Sequence, residues 1–485
     1  MNRFYVACDL GTEVGRVMLG TLQKDKLTIS EVRSFQNTPT QEKESLHWNI
    51  PQLYQEMMVA LSEISGYEEP VASISCNSWA SDYLLFESDG SLVTPVFHHY
   101  DPRTEAGMKE VLSKVPWETI YEETGVHKMP GNTIFQLGAE KSKRLKRSRL
   151  MPIADGFNYL LSGVPQVEMS LASTTQLCNP VTRTWSERLV KALRLPPELL
   201  PPVAPAGTKL GPLRPEIAKE TRLQDIQVIA TCSYELAAAL VGLPVSHGEN
   251  WAYLRAGTQA VIGTELIGPV INNAGRDAHF NNGMGYGGSV HFSKHVHGLW
   301  ILEECKRFWK EKDRELYDDV LTHLAIAAEP FESLINPEDP RFLTAGDMPL
   351  KIQAFCKETD QPVPRKPGPI LRCVLESLAL LYRKTLQEME QLTGREFAQL
   401  YLLDGNANNM LYHFTANALQ IPVVIAPPET AAIGNVIVQA LALGHLKSLD
   451  EARDLVRSSF KTETITPHAA VWNAAYDRLA ELVPS

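Results

Sequence analysis

Two short glycine–threonine turns mark places where this chain can bind an anion. Gly11-Thr12 follows an apolar segment near the N-terminus, and Gly257-Thr258 follows a similar segment near the middle of the chain. Because glycine has no Cβ, backbone N–H groups in such a turn can converge on a phosphate, and the threonine hydroxyl adds a donor. Asp9 precedes the first turn and suits a hydrated magnesium ion, although a carboxylate there also serves as a plain strand-end cap. Together the two turns predict a polyphosphate site.

Further candidate residues follow later in the chain. Glu235 comes after a buried strand and a polar turn, at the start of a helix of small residues. A carboxylate there is stabilised by the helix dipole, and it is either an ordinary first-turn acid, which the pattern alone favours, or a general base. Gly405 and Asn409 lie in a polar turn after a strand, and Gly434-Asn435 opens an apolar helix. Both pairs suit a nucleotide, but glycine at a helix start is frequently a matter of close packing.

The bulk composition describes a globular α/β protein. Its 485 residues exceed one ordinary core, which predicts two domains, and 44% of them are hydrophobic against 21% charged. The net charge of −11 argues against binding to nucleic acids or anionic membranes, because such binding depends on Lys and Arg releasing counterions. Seven scattered cysteines and the early Asp9 in the N-terminal apolar run predict a reducing compartment without a signal peptide. We therefore expect a cytoplasmic protein, as a monomer or homodimer.

The chain repeats one pattern in its two halves. Strands are predicted at 4–8, 16–22 and 27–35, forming a meander around Gly11-Thr12, and the segment from Trp251 to Gly263 lines up with this opening. Each half then mixes strands with helices. We accordingly predict an N-terminal lobe over residues 1–245 and a C-terminal lobe over 246–485, with the two glycine turns at the mouth of a cleft between them.

The order of these motifs resembles that of the FGGY carbohydrate kinases, from about Tyr5 to about Gly444, and most closely their rhamnulokinase branch. The resemblance is carried by the segments DLGTEVGRVML at Asp9, NSWASDYLLF at Asn77, YDPRT at Tyr100, PGNTIFQL at Pro130, ASTTQL at Ala172, GLWILEE at Gly298, ESLALLY at Glu376 and AAIGN at Ala431. It implies two actin-like ATPase domains, of the ribonuclease H-like α/β fold, with an active-site cleft between them.

The resemblance also implies ATP-dependent, magnesium-assisted phosphorylation of a ketose hydroxyl, in L-rhamnulose the one on carbon 1. Its phosphate motifs match Asp9 with Gly11-Thr12 and Gly257-Thr258, and its adenine-side turn matches Gly434-Asn435. Its sugar pocket is formed by segments that here contain Trp79, Asp82 and Arg103.

Several positions depart from the family pattern. Glu235 stands where the family has its aspartate general base, and Tyr234 stands where rhamnulokinases have a histidine, so this tyrosine is expected among the sugar contacts. Glu13 and Val14 replace small hydroxyl residues, and the adenosine turn appears as Asp404-Gly405-Asn406. Two functions stay open at this point: a sugar kinase with Glu235 as its base, and an impaired relative that binds a sugar or a partner without phosphoryl transfer. A chaperone-type actin-like ATPase fits the sugar-pocket segments poorly.

Overall fold

The computed structural model of the chain describes residues 3–67, 70–312, 317–403, 405, 409–468 and 471–482. In chain order its strands are β1 (Arg3–Leu10), β2 (Val14–Gln23), β3 (Lys26–Gln36), β4 (Thr40–Glu42), β5 (Ser45–Trp48), β6 (Val71–Ser78), β7 (Tyr83–Phe86), β8 (Val96–Phe97), β9 (Arg149–Pro152), β10 (Val167–Glu168), β11 (Cys178–Asn179), β12 (Thr184–Trp185), β13 (Val203–Ala204), β14 (Thr208–Pro212), β15 (Gln227–Ala230), β16 (Trp251–Ala256), β17 (Gln259–Leu266), β18 (Asn281–Met284), β19 (Val290–His297), β20 (Gln399–Leu403), β21 (Val423–Ile425) and β22 (Glu463–Ile465).

The helices, in the same order, are α1 (Ile50–Ile64), α2 (Arg103–Lys114), α3 (Trp117–Thr124), α4 (Thr133–Gly138), α5 (Ser142–Leu145), α6 (Ile153–Ser162), α7 (Met169–Thr174), α8 (Glu187–Leu193), α9 (Pro215–Thr221), α10 (Glu235–Val241), α11 (Asn273–Asp277), α12 (Trp300–Lys312), α13 (Asp318–Ile326), α14 (Met348–Glu358), α15 (Pro367–Thr393), α16 (Asn409–Leu419), α17 (Thr430–Ala442), α18 (Leu449–Ser459) and α19 (Trp472–Leu482). Two 3₁₀ turns cover Tyr286–Gly288 and Pro340–Leu343. No helix within the described ranges has both the length and the apolar character needed to cross a membrane.

The chain divides into two compact units. The first unit comprises residues 1–247, 265–292 and 429–461, and the second comprises 248–264, 293–428 and 462–485. Helices α17 and α18, which lie late in the sequence, therefore belong to the first unit. Each unit is built on its own main sheet.

The sheet of the first unit has the strand order β14-β15-β6-β1-β2-β3. Strands β1, β2 and β3 form an antiparallel meander, whereas β1, β6 and β15 run parallel. The predicted meander is confirmed, with Asp9 paired in register to Arg16 across its first hairpin. Because parallel strands end at the same edge of a sheet, the residues that follow β1, β6 and β15 come together there.

The second unit repeats this plan. Its strands follow the order β19-β17-β16-β20-β21-β22, with β16 antiparallel to β17 and parallel to β20, and β20 parallel to β21. An antiparallel edge strand, β14 or β22, closes each sheet beside its last parallel strand. The predicted α/β fold with two copies of one ground plan is confirmed, and in each copy the Gly-Thr pair lies between the first two strands.

Helices α10 and α17 pack very closely within the first unit. A Cβ atom added to Gly434 would lie 1.8 Å from the carbonyl oxygen of Ala238, and one added to Gly242 would lie 2.2 Å from that of Thr430. Glycine at these positions lets the two helix backbones touch. Apolar side chains from β1, β2, α10, α17 and α18 then form one core around this contact, which fixes the body of α10 against the sheet.

Candidate active site

The structure brings Asp9 and Glu235 together at one edge of the first unit's sheet. Asp9 lies near the end of β1, beside its register partner Asn77 in β6. The loop after β15 returns to the same edge, where the N–H of Ser78 donates to the carbonyl of Ser233 at 2.9 Å. Glu235, half-buried, then begins α10. Its charge is close enough to act on the carboxyl of Asp9.

Asp9 is held by two neighbours that the motif analysis did not single out. The amide of Asn77 donates to Oδ1 of Asp9 at 2.6 Å, and Arg16 lies 3.3 Å from Oδ2. Arg16 also pairs with Glu429 at 2.6 Å, at the start of α17. Burial, followed by the charge of Glu235, raises the pKa of Asp9 to about 7 against the opposing charge of Arg16. The edge thus holds three carboxyl groups, of which those of Asp9 and Glu429 pair with the guanidinium of Arg16.

A chain of buried amides connects Asp9 to α17. Asn435 donates to Oδ1 of Asn77 at 2.9 Å, and Gln439 donates to Oδ1 of Asn435 at 2.7 Å. Ser73 in turn donates to Gln439 at 2.6 Å. Each amide therefore has its oxygen and nitrogen assigned by its neighbours, which fixes the orientation of Asn77 toward Asp9.

The two residues predicted to form the adenine-side turn lie inside this packing. Asn435 is fully buried in the amide chain, and Gly434 forms the close helix contact with α10. A direct contact of either residue with a nucleotide stays a prediction.

The buried carboxylate of Asp82 accepts hydrogen bonds from several side chains. Its Oδ2 accepts from Trp79 Nε1 at 2.8 Å, and also from Trp48 Nε1 and His99 Nδ1, both at 2.7 Å. Its Oδ1 accepts from Gln136 at 3.0 Å. Burial alone would raise the pKa of Asp82, but the charge of His99 and these hydrogen bonds outweigh it and lower the pKa. Asp82 and Trp79, two predicted sugar residues, are therefore in direct contact.

The imidazoles beside Asp82 form an aromatic stack. His98 stacks on Trp48 and on His99, with ring centroids 4.3 Å apart in both cases. Ligand atoms of Asp82, His98 and His99 lie within 4.8 Å of one another. Nδ1 of His98, however, accepts from the N–H of Tyr100 at 2.9 Å, so the neutral ring carries its proton on Nε2. In this structure the cluster is held together by hydrogen bonds, and the lone pair of His98 Nδ1 is occupied by the N–H of Tyr100.

Arg103, the third predicted sugar residue, is anchored elsewhere. Its guanidinium pairs with Glu140 at 3.1 Å and lies 3.7 Å from the ring centroid of Phe97. Glu140 is also bound by Arg144 and by the hydroxyl of Tyr83. The structure thus places Arg103 in a buried charge cluster, and its contact with a sugar stays a prediction.

The first glycine turn is built from backbone bonds. Gly11 N–H donates to the carbonyl of Val14 at 3.1 Å, and Asn37 bonds to the carbonyls of both Gly11 and Glu13 at 2.8 Å. A Cβ on Gly11 would lie 2.5 Å from the oxygen of Val14, so the turn requires glycine here. Thr12 and Glu13 are exposed. The hydroxyl of Thr12, which could bind a phosphate, therefore lies next to the carboxylate of Glu13, where this chain departs from the family pattern.

In the second unit the Gly257-Thr258 turn is bonded to the start of α12. The carbonyls of Gly257 and Thr258 accept from the N–H groups of Leu299 and Trp300, at 2.8 and 3.2 Å. Gly298 makes this approach possible, because a Cβ there would lie 2.2 Å from the Gly257 oxygen. The turn is thereby tied to Leu299, which lines a cavity of the same unit.

That cavity has a volume of about 400 Å³ and lies among α12, α13, α15 and α16. Its wall combines apolar and polar side chains: Leu299, Leu302, Leu321, Ala325, Leu371, Leu375 and Met410 line it together with Glu303, Lys306, Asp318, Thr322 and Asn409. Lys306, also on the wall, pairs with Glu303 and Asp318. A cavity that combines apolar side chains with polar groups can accept a heterocyclic base.

The predicted adenosine turn lies partly outside the described residues. Asp404 and Asn406 are not among them, whereas Gly405 is an exposed turn residue. Asn409 begins α16 and lines the cavity. The structure thus brings Asn409 and Leu299 to one cavity within the second unit. That the two Gly-Thr turns face each other across a cleft stays a prediction.

Sequence reasoning missed the residues that support the loop before Glu235. Asp155 and Glu168 are buried, and together they accept bonds from the Ser233 side chain and backbone at 2.7 and 2.9 Å. Burial raises the pKa of Asp155 well above its usual range and that of Glu168 to about 7. Of these supporting contacts, only the Asp9–Arg16 pair could have been predicted from the local sequence, because a hairpin at Gly11 places the two residues opposite each other.

Solved structures share this fold along the whole chain. A xylulose kinase from Lactobacillus acidophilus superposes with a TM-score of 0.82 at 16% identity, covering 99% of this chain and 97% of the other. A gluconate kinase from the same organism gives 0.83 at 15% identity, covering 99% and 98%. The fold is therefore that of the two-domain, actin-like ATPase class, as predicted.

Family models assign the chain more narrowly. The N-terminal domain of the FGGY family of carbohydrate kinases matches residues 4–242, and its C-terminal domain matches 252–443. The chain belongs to the FGGY family of carbohydrate kinases and is a sugar phosphotransferase. It is 34% identical to a rhamnulokinase of Bacteroides thetaiotaomicron over 98% of each chain, and 33% identical to one of Enterococcus faecalis over 95% of this chain and 94% of the other.

Proposed function

We propose that this kinase transfers the γ-phosphoryl group of ATP to the hydroxyl group on carbon 1 of a ketose, with L-rhamnulose as its preferred substrate. The proposal draws its substrate from the rhamnulokinases that this chain resembles over nearly its whole length. The observation that carries the chemistry is the proximity of Asp9 and Glu235 at the carboxyl edge of the first sheet. One acid can hold a cation there while the other accepts a proton.

The residues around Asp9 fit a magnesium ion. Asp9, Glu235 and Glu429 bring three carboxyl groups to this edge, and Arg16 supplies one positive charge. A hydrated divalent cation suits such an excess of carboxylate, since magnesium takes one or two carboxylates and keeps several waters. When bound, it neutralises charge on the phosphate oxygens during transfer. In our proposal Asp9 holds the ion, and Asn77 and Arg16 orient Asp9.

Glu235 acts as the general base in this mechanism. Its carboxylate accepts the proton of the sugar hydroxyl as that oxygen forms its bond to the γ-phosphorus, and the bond from this phosphorus to the bridging oxygen breaks to release ADP. The side chain is one methylene longer than an aspartate, and a change of rotamer can bring its oxygens to the same point. The sugar is positioned by Tyr234, Trp79 and Asp82. An aromatic face with convergent polar groups suits a polyol.

The nucleotide is held by the two glycine turns and by the cavity of the second unit. The turns Gly11-Thr12 and Gly257-Thr258 offer their threonine hydroxyls as donors to phosphates, and the cavity beside Asn409 takes the adenine. Gly405 and the Gly434-Asn435 pair support this nucleotide site in the proposal. Glu13 is exposed beside the first turn and weakens ATP binding without preventing it.

A ketose panel tests the proposal. Purified protein is given MgATP with L-rhamnulose, L-fuculose, L-ribulose or D-xylulose, and ADP release is followed for each. We expect the largest kcat/KM with L-rhamnulose, background ADP release without sugar, and a product whose ³¹P NMR signal couples to the protons of carbon 1. A larger kcat/KM for another ketose would replace the proposed substrate. Absence of ADP release with every ketose would contradict transfer itself.

A further inference from the structure

The loop that precedes Glu235 makes hydrogen bonds on both of its sides. It comprises residues 231–234, between β15 and α10. On the side of β6, the Thr231 and Ser75 hydroxyls bond at 2.8 Å and Ser78 N–H donates to the carbonyl of Ser233. On the other side lie three residues to which neither the motifs nor the family resemblance gave a role: Asp155, Glu168 and Ser170.

These three residues form a compact hydrogen-bonded clamp. Oε2 of Glu168 accepts from the Ser233 N–H at 2.9 Å, and it also accepts from the hydroxyl of Ser170. The Ser170 hydroxyl oxygen in turn accepts from the N–H of Tyr234 at 2.9 Å. Oδ1 of Asp155 accepts from the hydroxyl of Ser233 at 2.7 Å, and its Oδ2 accepts from the N–H of Glu168 at 3.1 Å. Every member is at least nine-tenths buried except Tyr234, which is half-buried.

The start of α10 needs such external support. The helix has seven residues, and isolated helices of that length do not persist in water. Tyr234 occupies its N-cap position without the side-chain hydrogen bond that Ser, Asp or Asn would supply there. Close packing of Ala238 on Gly434 fixes the middle of α10, but it does not fix the first residue, which is Glu235.

We propose that Asp155, Glu168 and Ser170 are positioning residues for Glu235. By binding Ser233 and Tyr234, they hold the carboxylate of Glu235 at the sheet edge that carries Asp9. The inference rests on the proposed function of Glu235 as the general base. Since a displacement on the order of 1 Å can cost about a hundredfold in rate, loosening the clamp lowers kcat while the sugar and nucleotide still bind.

Two single-hydroxyl variants test the clamp against a matched control. Ser170→Ala removes the acceptor of Tyr234 N–H, and Ser233→Ala removes the bond to Asp155. Ser173→Ala is the control, because Ser173 is buried in the same helix α7 but bonds to Ser170 O and to Met284 N–H, away from the loop. For each variant kcat, the KM of the ketose and of ATP, the sugar-binding stoichiometry and Tm are measured.

We expect kcat to fall at least tenfold in Ser170→Ala and Ser233→Ala, with both KM values within threefold of wild type and full sugar-binding stoichiometry. Ser173→Ala should stay within twofold in kcat. Glu168→Gln keeps an oxygen that can accept the loop hydrogen bonds, so it should retain much more turnover than Glu168→Ala. A kcat unchanged in both serine variants, or a loss of kcat matched by a loss of sugar binding, overturns the clamp.

Glu235→Gln separates this inference from the proposed function. If Glu235→Gln turns over at the wild-type rate, the base assignment fails whatever the clamp variants do. If Glu235→Gln is inactive while Ser170→Ala and Ser233→Ala match Ser173→Ala, the base stands and the clamp alone is rejected.

Discussion

The side-chain amide of Asn77 donates a hydrogen bond of 2.6 Å to the carboxylate of Asp9, its register partner in the neighbouring parallel strand. Asn435 and Gln439 continue this contact into α17 and fix which way the Asn77 amide points. The proposed metal ligand is therefore oriented by a helix that lies more than 400 residues later in the sequence.

Replacing Asn77 by alanine should weaken the affinity of the kinase for magnesium. A hydrogen bond to a charged group contributes about 1.5–3 kcal/mol, so we expect the half-saturating magnesium concentration to rise by about tenfold or more. Activity is titrated with magnesium at saturating sugar and ATP. Asn282→Ala is the control, since Asn282 is equally buried but bonds to Gly125 and Val270. Superimposable magnesium curves for wild type and Asn77→Ala would count against this function of the amide chain.

Asp82→Asn should damage both the sugar site and the fold. The new amide would turn an NH₂ group toward N–H donors, and breaking a buried charged network of this kind costs about 3 kcal/mol. The ketose KM should rise at least tenfold while that of ATP stays unchanged. Asp339→Asn, at the N-cap of a surface turn in the second unit, is the control. An unchanged ketose KM in Asp82→Asn would place the sugar elsewhere.

The stability cost of Asp82→Asn should also depend on pH. The folded pKa of Asp82 is lowered, so the stabilisation from its charge is present above the unfolded pKa and is lost as the pH falls through the folded value. The difference in unfolding free energy between wild type and Asp82→Asn should therefore shrink below about pH 4. Urea unfolding at several pH values measures it, and a difference that stays constant into acid would contradict the assignment.

Gly434→Ala distinguishes helix packing from nucleotide contact. The added methyl group would lie 1.8 Å from the Ala238 carbonyl, so α10 must move. We expect a loss of about 3 kcal/mol in stability and a lower kcat, because Glu235 lies on the displaced helix. Gly268→Ala, which has open space around the new methyl, is the control. A raised KM for ATP with unchanged stability would instead favour direct contact with the nucleotide.

Thr322→Trp should fill part of the cavity in the second unit. Thr322 is a half-buried lining residue on α13, whereas its neighbour His323 is exposed. We expect Thr322→Trp to raise the KM for ATP at least tenfold, and His323→Trp to leave it within twofold, because only the first ring enters the space assigned to adenine. Sugar binding, measured by calorimetry without nucleotide, should be equal in both. Equal ATP KM values in the two variants would move the adenine site elsewhere.

The fold could be predicted from the sequence because the patterns that indicate its strands, turns and helices are local. The strand–Gly–Thr–strand unit appears twice in the sequence, and the alternation of strands and helices that follows each copy is enough to predict one ground plan for two sheets. The Asp9–Arg16 pair also follows from a hairpin centred on Gly11.

The supporting contacts of the site carry no such signal. Trp48 bonds to Asp82, which is 34 residues away in the sequence. Glu168 and Asp155 bond to Ser233, which is 65 and 78 residues away. These bonds depend on how α6, α7 and β5 pack around the sheet, which no spacing along the chain encodes. Sequence reasoning likewise placed Asn435 by its motif, whereas tertiary packing buries it in the amide chain.

The turnover of Glu235→Gln tests the central claim most directly. Wild type, Glu235→Gln and Glu235→Asp are compared under single-turnover conditions with MgATP and L-rhamnulose, and sugar affinity is measured in parallel. A general base contributes about 10²–10⁴ in rate, so we predict that Glu235→Gln loses at least about a hundredfold in turnover with sugar affinity nearly intact, while Glu235→Asp stays active. Turnover of Glu235→Gln equal to that of wild type, at any level above or at background, would contradict the assignment of Glu235 as the base of this kinase.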